Sequence, residues 1–118
     1  MPPDGDPSKI SEIKLLSFLV AGQGRVYFYS GDEKEAVLNN KVYPANYSVH
    51  NGSGKIIRQK QLWLLNHRID KKELFVLIKP AKEADYKNLV DLLDEMLING
   101  VSRYAIVEPG EYDLAFLK

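Results

Sequence analysis

From Lys14 to Ala21 the chain is dominated by Leu, Phe and Val, and after Gly22-Gln23-Gly24 the pattern from Arg25 to Ser30 becomes alternating. Val26 and Phe28 then share one side and Tyr27 and Tyr29 the other, as the two-residue period of a strand requires. Gly-Gln-Gly supplies residues that tolerate the positive φ of a tight loop, so these two strands form a hairpin. Gly31 to Gly52 has no comparable order. It is polar, it is broken by Asn39-Asn40, Pro44 and Asn51-Gly52, and only Lys41-Val42-Tyr43 offers a brief strand. It reads as a long excursion within one domain.

Helical periodicity begins after Ser53, an N-cap candidate, and Lys55 to His67 runs without Gly or Pro. Ile56, Ile57, Trp63 and Leu64, with Leu62 and Leu65 beside them, make a broad apolar face; Arg58, Gln59, Lys60 and Gln61 point outward. Leu74-Phe75-Val76-Leu77-Ile78 lacks alternation, which suits an interior strand covered on both faces and ended by Pro80. Asp85 caps a second helix, Tyr86 to Ile98, with the stripe Tyr86, Leu89, Val90, Leu93, Met96 and Leu97 at three- and four-residue spacing. Asn99-Gly100 stops it, and Arg103 to Val107 is the last strand. A strand, helix and strand joined by short connections require a parallel pair. The reading is therefore an α/β (α+β) domain in the order β-β-α-β-α-β, with two helices packed on one face of a mixed β-sheet. Residues 1–9, rich in Pro, Gly and Asp, read as a flexible linker, and 10–118 as a single domain.

Composition narrows the function. With 118 residues there is room for one core, and 16 basic residues balance 16 acidic ones, which leaves no excess positive charge for phosphates and argues against nucleic acid as a partner. The chain has no cysteine, which excludes disulfides and thiolate metal sites. No apolar run approaches the ~20 residues that span a bilayer.

Candidate chemistry is sparse. Gly52-Ser53-Gly54-Lys55 resembles the end of a phosphate loop, but Val49 and Ile56 stand where that loop needs Gly and Ser or Thr. His50 and His67 stand alone, with no second His or Cys at helical spacing. The carboxylates, as in Asp32-Glu33-Lys34-Glu35, sit beside lysines and read as solvated faces. No Gly-x-Ser-x-Gly turn is present. The sequence thus assigns no catalytic, metal or cofactor-binding residue and points away from an enzyme. Two features suit protein contacts instead. Seven tyrosines are many for this length, and Tyr offers a rigid face with a polar tip. In the tail, Tyr112, Leu114 and Phe116 alternate with Asp113 and Ala115, a pattern that reads either as a strand added to a sheet edge, its own or another chain's, or as a frayed chain end.

The stretch Leu74 to Glu108 carries a resemblance. Val76-Leu77-Ile78-Lys79, Ala81-Lys82, Tyr86, the helix Asn88-Leu89-Val90-Asp91-Leu92-Leu93-Asp94, then Gly100-Val101 and Arg103-Tyr104-Ala105-Ile106-Val107 resemble the ExbD/TolR family. Pro80 and the length of the excursion at 31–52 depart from its pattern. The resemblance implies the periplasmic domain of a single-pass inner-membrane subunit, following a transmembrane helix that this chain does not contain, in a complex driven by the proton motive force. It implies ExbB/TolQ-like and TonB/TolA-like proteins as partners, a homodimer, and transport or envelope function without a small-molecule substrate or cofactor. Partner contacts are expected at Arg103, Tyr104, Ile106, Glu108, Tyr112 and Leu114. The competing expectation is a small-molecule-binding regulatory domain of ferredoxin-like or ACT type.

Overall fold

The computed structural model describes residues 13–45 and 53–118. The linker at 1–9, His50 and the capping side chain of Ser53 lie outside the described residues. Five strands form one mixed sheet in the order β3-β2-β1-β4-β5: β1 (Leu15–Val20), β2 (Val26–Ser30), β3 (Tyr43–Ala45), β4 (Phe75–Pro80) and β5 (Arg103–Ile106). β1 pairs antiparallel with β2 and parallel with β4, and β4 pairs parallel with β5. Four α-helices lie wholly within the described residues: α1 (Glu33–Leu38), α2 (Ser53–Asn66), α3 (Tyr86–Ile98) and α4 (Glu111–Leu117). The protein is thus a mixed α/β fold, as the sequence predicts.

Local chemistry places each boundary. Gln23 and Gly24 both have positive φ, and Ala21 N–H donates to Arg25 O at 2.8 Å, closing the predicted hairpin. Gly100, at φ 68°, ends α3 in the left-handed conformation while Val101 N–H satisfies Met96 O. Asp85 occupies the N-cap of α3 but makes no side-chain capping bond.

Strand register sorts the side chains into two faces. Leu16, Phe18, Val20, Val26, Val76 and Ile78 lie on the face packed by α2 and α3, with Ile57, Leu64, Leu92, Met96 and Val101 completing one core. Ser17, Leu19, Tyr27, Tyr29 and Lys79 lie on the other face. That second face is not open. Tyr29 and Lys79 bond to Asp113 of α4, Tyr27 meets Phe116, and α1 packs beside α4. The expectation of helices on one face therefore holds for α2 and α3, and the short pair α1 and α4 covers the other.

Three sequence expectations change. The excursion at 31–52 holds an ordered helix, α1, capped by Asp32, whose side chain accepts from Glu35 N–H at 3.0 Å. The strand within it is Tyr43–Ala45, one that tolerates Pro44 because β3 is an edge. The tail is a helix and not an edge strand. Its alternation misleads because the members that face the sheet are Asp113 and Phe116, three residues apart.

The helix phases also turn. Along α2 the fully buried residues are Ile57 and Leu64, one heptad apart, while Leu62, Trp63 and Leu65 are exposed. Along α3, Leu92 and Met96 are each 1% exposed, Leu89 and Leu93 are partly buried, and Tyr86 and Leu97 point to solvent at 78% and 81%. A helix lying on a sheet can bury only about a third of its circumference, so a wider apolar face leaves a surplus. In urea unfolding, Leu92→Ala should cost about 2–5 kcal/mol, and Leu97→Ala should fall within about 0.5 kcal/mol of the parent. Equal losses would contradict the phase of α3.

Candidate protein-docking site

The sheet ends at β5, whose outer side pairs with no other strand among the described residues. Val107 N–H donates to Ile78 O at 2.9 Å. Peptide groups alternate in direction along a strand, so Tyr104 and Ile106 turn their own N–H and C=O groups to the open edge. Their side chains share the face of α2 and α3 with Val76 and Ile78, yet they are 45% and 50% exposed. The surplus face of α3 adds apolar surface on the same side of the sheet. Asn99 of α3's C-cap bonds to Arg58 and Gln61 of α2, so the opposite side of α3, carrying Tyr86, Val90, Leu93 and Leu97, faces away from α2. An open strand edge beside an apolar helix stripe combines main-chain hydrogen bonding with side-chain burial, the two ingredients of strand addition.

The six expected contact residues do not converge. Arg103, Tyr104 and Ile106 lie together on β5, and Glu108 follows its end as an exposed residue. Tyr112 and Leu114 lie on α4, over the opposite sheet face. Tyr112 is half-buried beside Lys34, whose ammonium is 5.9 Å from its ring centre, and Leu114 is exposed. The stripe Tyr86, Val90, Leu93 and Leu97 escapes a reading that sends all apolar residues of a helix inward; its excess width was the available signal.

A second feature is a buried ionic cluster. Lys79 is 6% exposed, and its Nζ donates to Tyr29 Oη at 2.7 Å and Asp113 Oδ2 at 2.9 Å, with Glu33 Oε1 at 3.5 Å. Tyr29 Oη donates to Asp113 Oδ1 at 2.7 Å. The same carboxylates hold the start of α4: Asp113 Oδ2 accepts from Gly110 N–H, and Glu33 Oε2 accepts from the N–H groups of Tyr112 and Asp113. Glu33 is therefore not part of a solvated charge run, as its neighbours in sequence suggest. Burial, and next the bond to Asp113, raise the Tyr29 pKa far above the ordinary phenol value, so the group stays a neutral donor. The lysine is engaged by three oxygen partners and the tyrosine by two charged groups, an arrangement that fastens α4 to the sheet. The sequence signal was Lys79 itself, a lone cation closing an interior apolar strand.

His67 stacks on Trp63 with ring centres 3.9 Å apart, and its Nδ1–H donates to Trp63 O at 2.7 Å. Among the described residues no three His, Asp or Glu side chains converge as metal ligands, and no helix is long and apolar enough to cross a membrane. No family model matches the chain, and no curated protein or solved structure matches it either.

Two outcomes test the cluster. Lys79→Met leaves Asp113 buried without its cation and should cost about 3–5 kcal/mol in urea unfolding. A loss within 0.5 kcal/mol or so would mean the pair is not buried as described. The raised Tyr29 pKa contributes stability that is fully present below the phenol's unfolded value of about 10 and is lost as pH rises through the folded value. Ultraviolet titration should thus show one of the seven tyrosines resisting ionisation until the domain unfolds in strong alkali. In Tyr29→Phe that late fraction should vanish.

Proposed function

We propose that this chain is the extracytoplasmic domain of an ExbD/TolR-type subunit, a non-enzymatic docking module in a complex driven by the proton motive force. The segment that resembles the family, Leu74 to Glu108, forms β4, α3 and β5, and so ends in the open strand edge. That edge, carrying exposed Tyr104 and Ile106, is the observation that carries the reading. An enzyme would need converging polar groups around a substrate cleft. A docking module needs unpaired main chain and apolar surface near it.

On this reading β5 receives either a second copy of the domain or an extended segment of a TonB- or TolA-like protein, in support of transport or envelope function. A transmembrane helix preceding this chain would anchor the domain to the inner membrane from the periplasmic side and would contact an ExbB- or TolQ-like channel. Proton transfer belongs to that membrane part, and this domain relays movement through its contacts. The ferredoxin-like alternative rests on a β-α-β-β-α-β order, whereas this chain opens with a hairpin.

Ile106→Pro tests the edge directly. It deletes an N–H that β4 does not use, so the fold should persist by circular dichroism. Self-association in sedimentation, and amide shifts caused by a TonB-like periplasmic peptide, should both weaken by about tenfold, the equivalent of roughly one hydrogen bond and its packing. Unchanged association, or peptide-induced shifts that avoid Arg103 to Glu108, would reject this placement. The coding sequence ahead of Met1 should also specify one apolar helix of about 20 residues containing a single aspartate. A start codon at Met1 with no such helix would reject the family reading.

A further inference from the structure

On the far side of the sheet from β5, α2 and β2 leave a cleft of about 370 Å³. Leu16 and Phe28 form its floor, Ile56 and Trp63 its wall, and Lys60 and Ser30 its rim. The cleft exists because β3 is only three residues long and does not extend along β2 to Ser30. Its size is at the lower end of the range for ligand pockets, enough to seat bulky apolar side chains.

The α2 wall of the cleft carries charge of one sign. Between Ser53 and Ile69 the chain carries Lys55, Arg58, Lys60 and Arg68 and no carboxylate, in a protein whose total charge is balanced. The ion pairs among the described residues involve Lys14 and Lys79, and none of these four cations. Lys60 is the one at the cleft. Its ammonium sits 4.6 Å from the Trp63 ring centre and 3.5 Å from Ser30 Oγ. It is half-buried, and that burial lowers its pKa. A partly desolvated cation held over an apolar slot with no counter-ion among the described residues gains a charge-assisted bond when a carboxylate arrives.

We propose that the cleft between α2 and β2 is a docking site for an acidic peptide segment of a partner protein, with an apolar side chain seated on Phe28 and Trp63 and a carboxylate paired with Lys60. The concavity favours an inserted side chain over a flat bilayer surface. The site is separated from the β5 edge by the width of the sheet, so both can be occupied together, and it does not depend on the family reading.

Trp63 is the single tryptophan, so its fluorescence reports occupancy directly. The probe is the synthetic peptide acetyl-Glu-Glu-Leu-Phe-Glu-Glu-amide, compared with the same peptide carrying Lys in place of Glu and with vesicles of phosphatidylglycerol and phosphatidylcholine. The acidic peptide should give a saturable blue shift with Kd below about 1 mM, weakening with added salt. Amide shifts should centre on Ser30, Ile56 and Lys60. Lys60→Glu should weaken binding at least about tenfold, and Lys60→Gln, which keeps a polar rim without the charge, should fall between that variant and the parent. Circular dichroism verifies that both variants fold, and if Lys60→Glu does not, Lys60→Gln alone decides. No saturable response, equal binding of the lysine peptide, undiminished affinity in both Lys60 variants, or a response to vesicles and not to peptide would each overturn the proposal.

Discussion

Lys79, near the end of interior strand β4, is buried between the sheet and the helices over its second face, and the fold has to bring a negative charge to it. Removing an ammonium from water costs several kcal/mol unless a carboxylate and further oxygens replace the lost hydration. Asp113 supplies the charge and Tyr29 and Glu33 the remaining contacts. These partners come from β2, from α1 and from α4, so one cation ties the N-terminal hairpin, the excursion after it and the C-terminus to the interior strand. A seven-residue helix has little stability of its own in water. α4 forms here because Asp113 and Glu33 accept its first N–H groups and Phe116 packs on Tyr27.

This division of labour gives the two sheet faces different physics. The face under α2 and α3 is held by apolar burial, a non-directional force that scales with area. The face under α1 and α4 is held by a few directional contacts, with Ser17 Oγ buried there without a partner among the described residues. Directional networks specify one arrangement and penalise any other. They also leave the outer β5 edge alone: with the tail folded back over the second face, no described segment is left to cover Tyr104 and Ile106.

The tail's position is also what separates the two candidate contact regions. An extended tail would have competed for the sheet edge, and Tyr112 and Leu114 would have joined Arg103, Tyr104 and Ile106 there. As a helix it places them on the opposite face. The surplus apolar width of α2 and α3 then falls on different sides, Leu97 and Tyr86 on the side of α3 away from α2 and Trp63 toward β2.

Periodicity by itself determined the hairpin, both long helices, the interior strand and the parallel β4-α3-β5 unit, because each depends on residues close in sequence and on turn chemistry at Gly24 and Gly100. It also placed Arg103, Tyr104 and Ile106 on one strand. Only the tertiary structure decided which part of each helix faces inward, since a helix with apolar residues at both Leu92 and Leu97 admits more than one phase until a sheet is laid against it. It alone decided that the tail is helical and that Glu33, Tyr29 and Asp113 meet at Lys79. Those four residues are 4, 34, 46, 50, 80 and 84 positions apart in their six pairings. An electrostatic demand so distant in sequence leaves no local pattern, only an unexplained lysine among apolar neighbours.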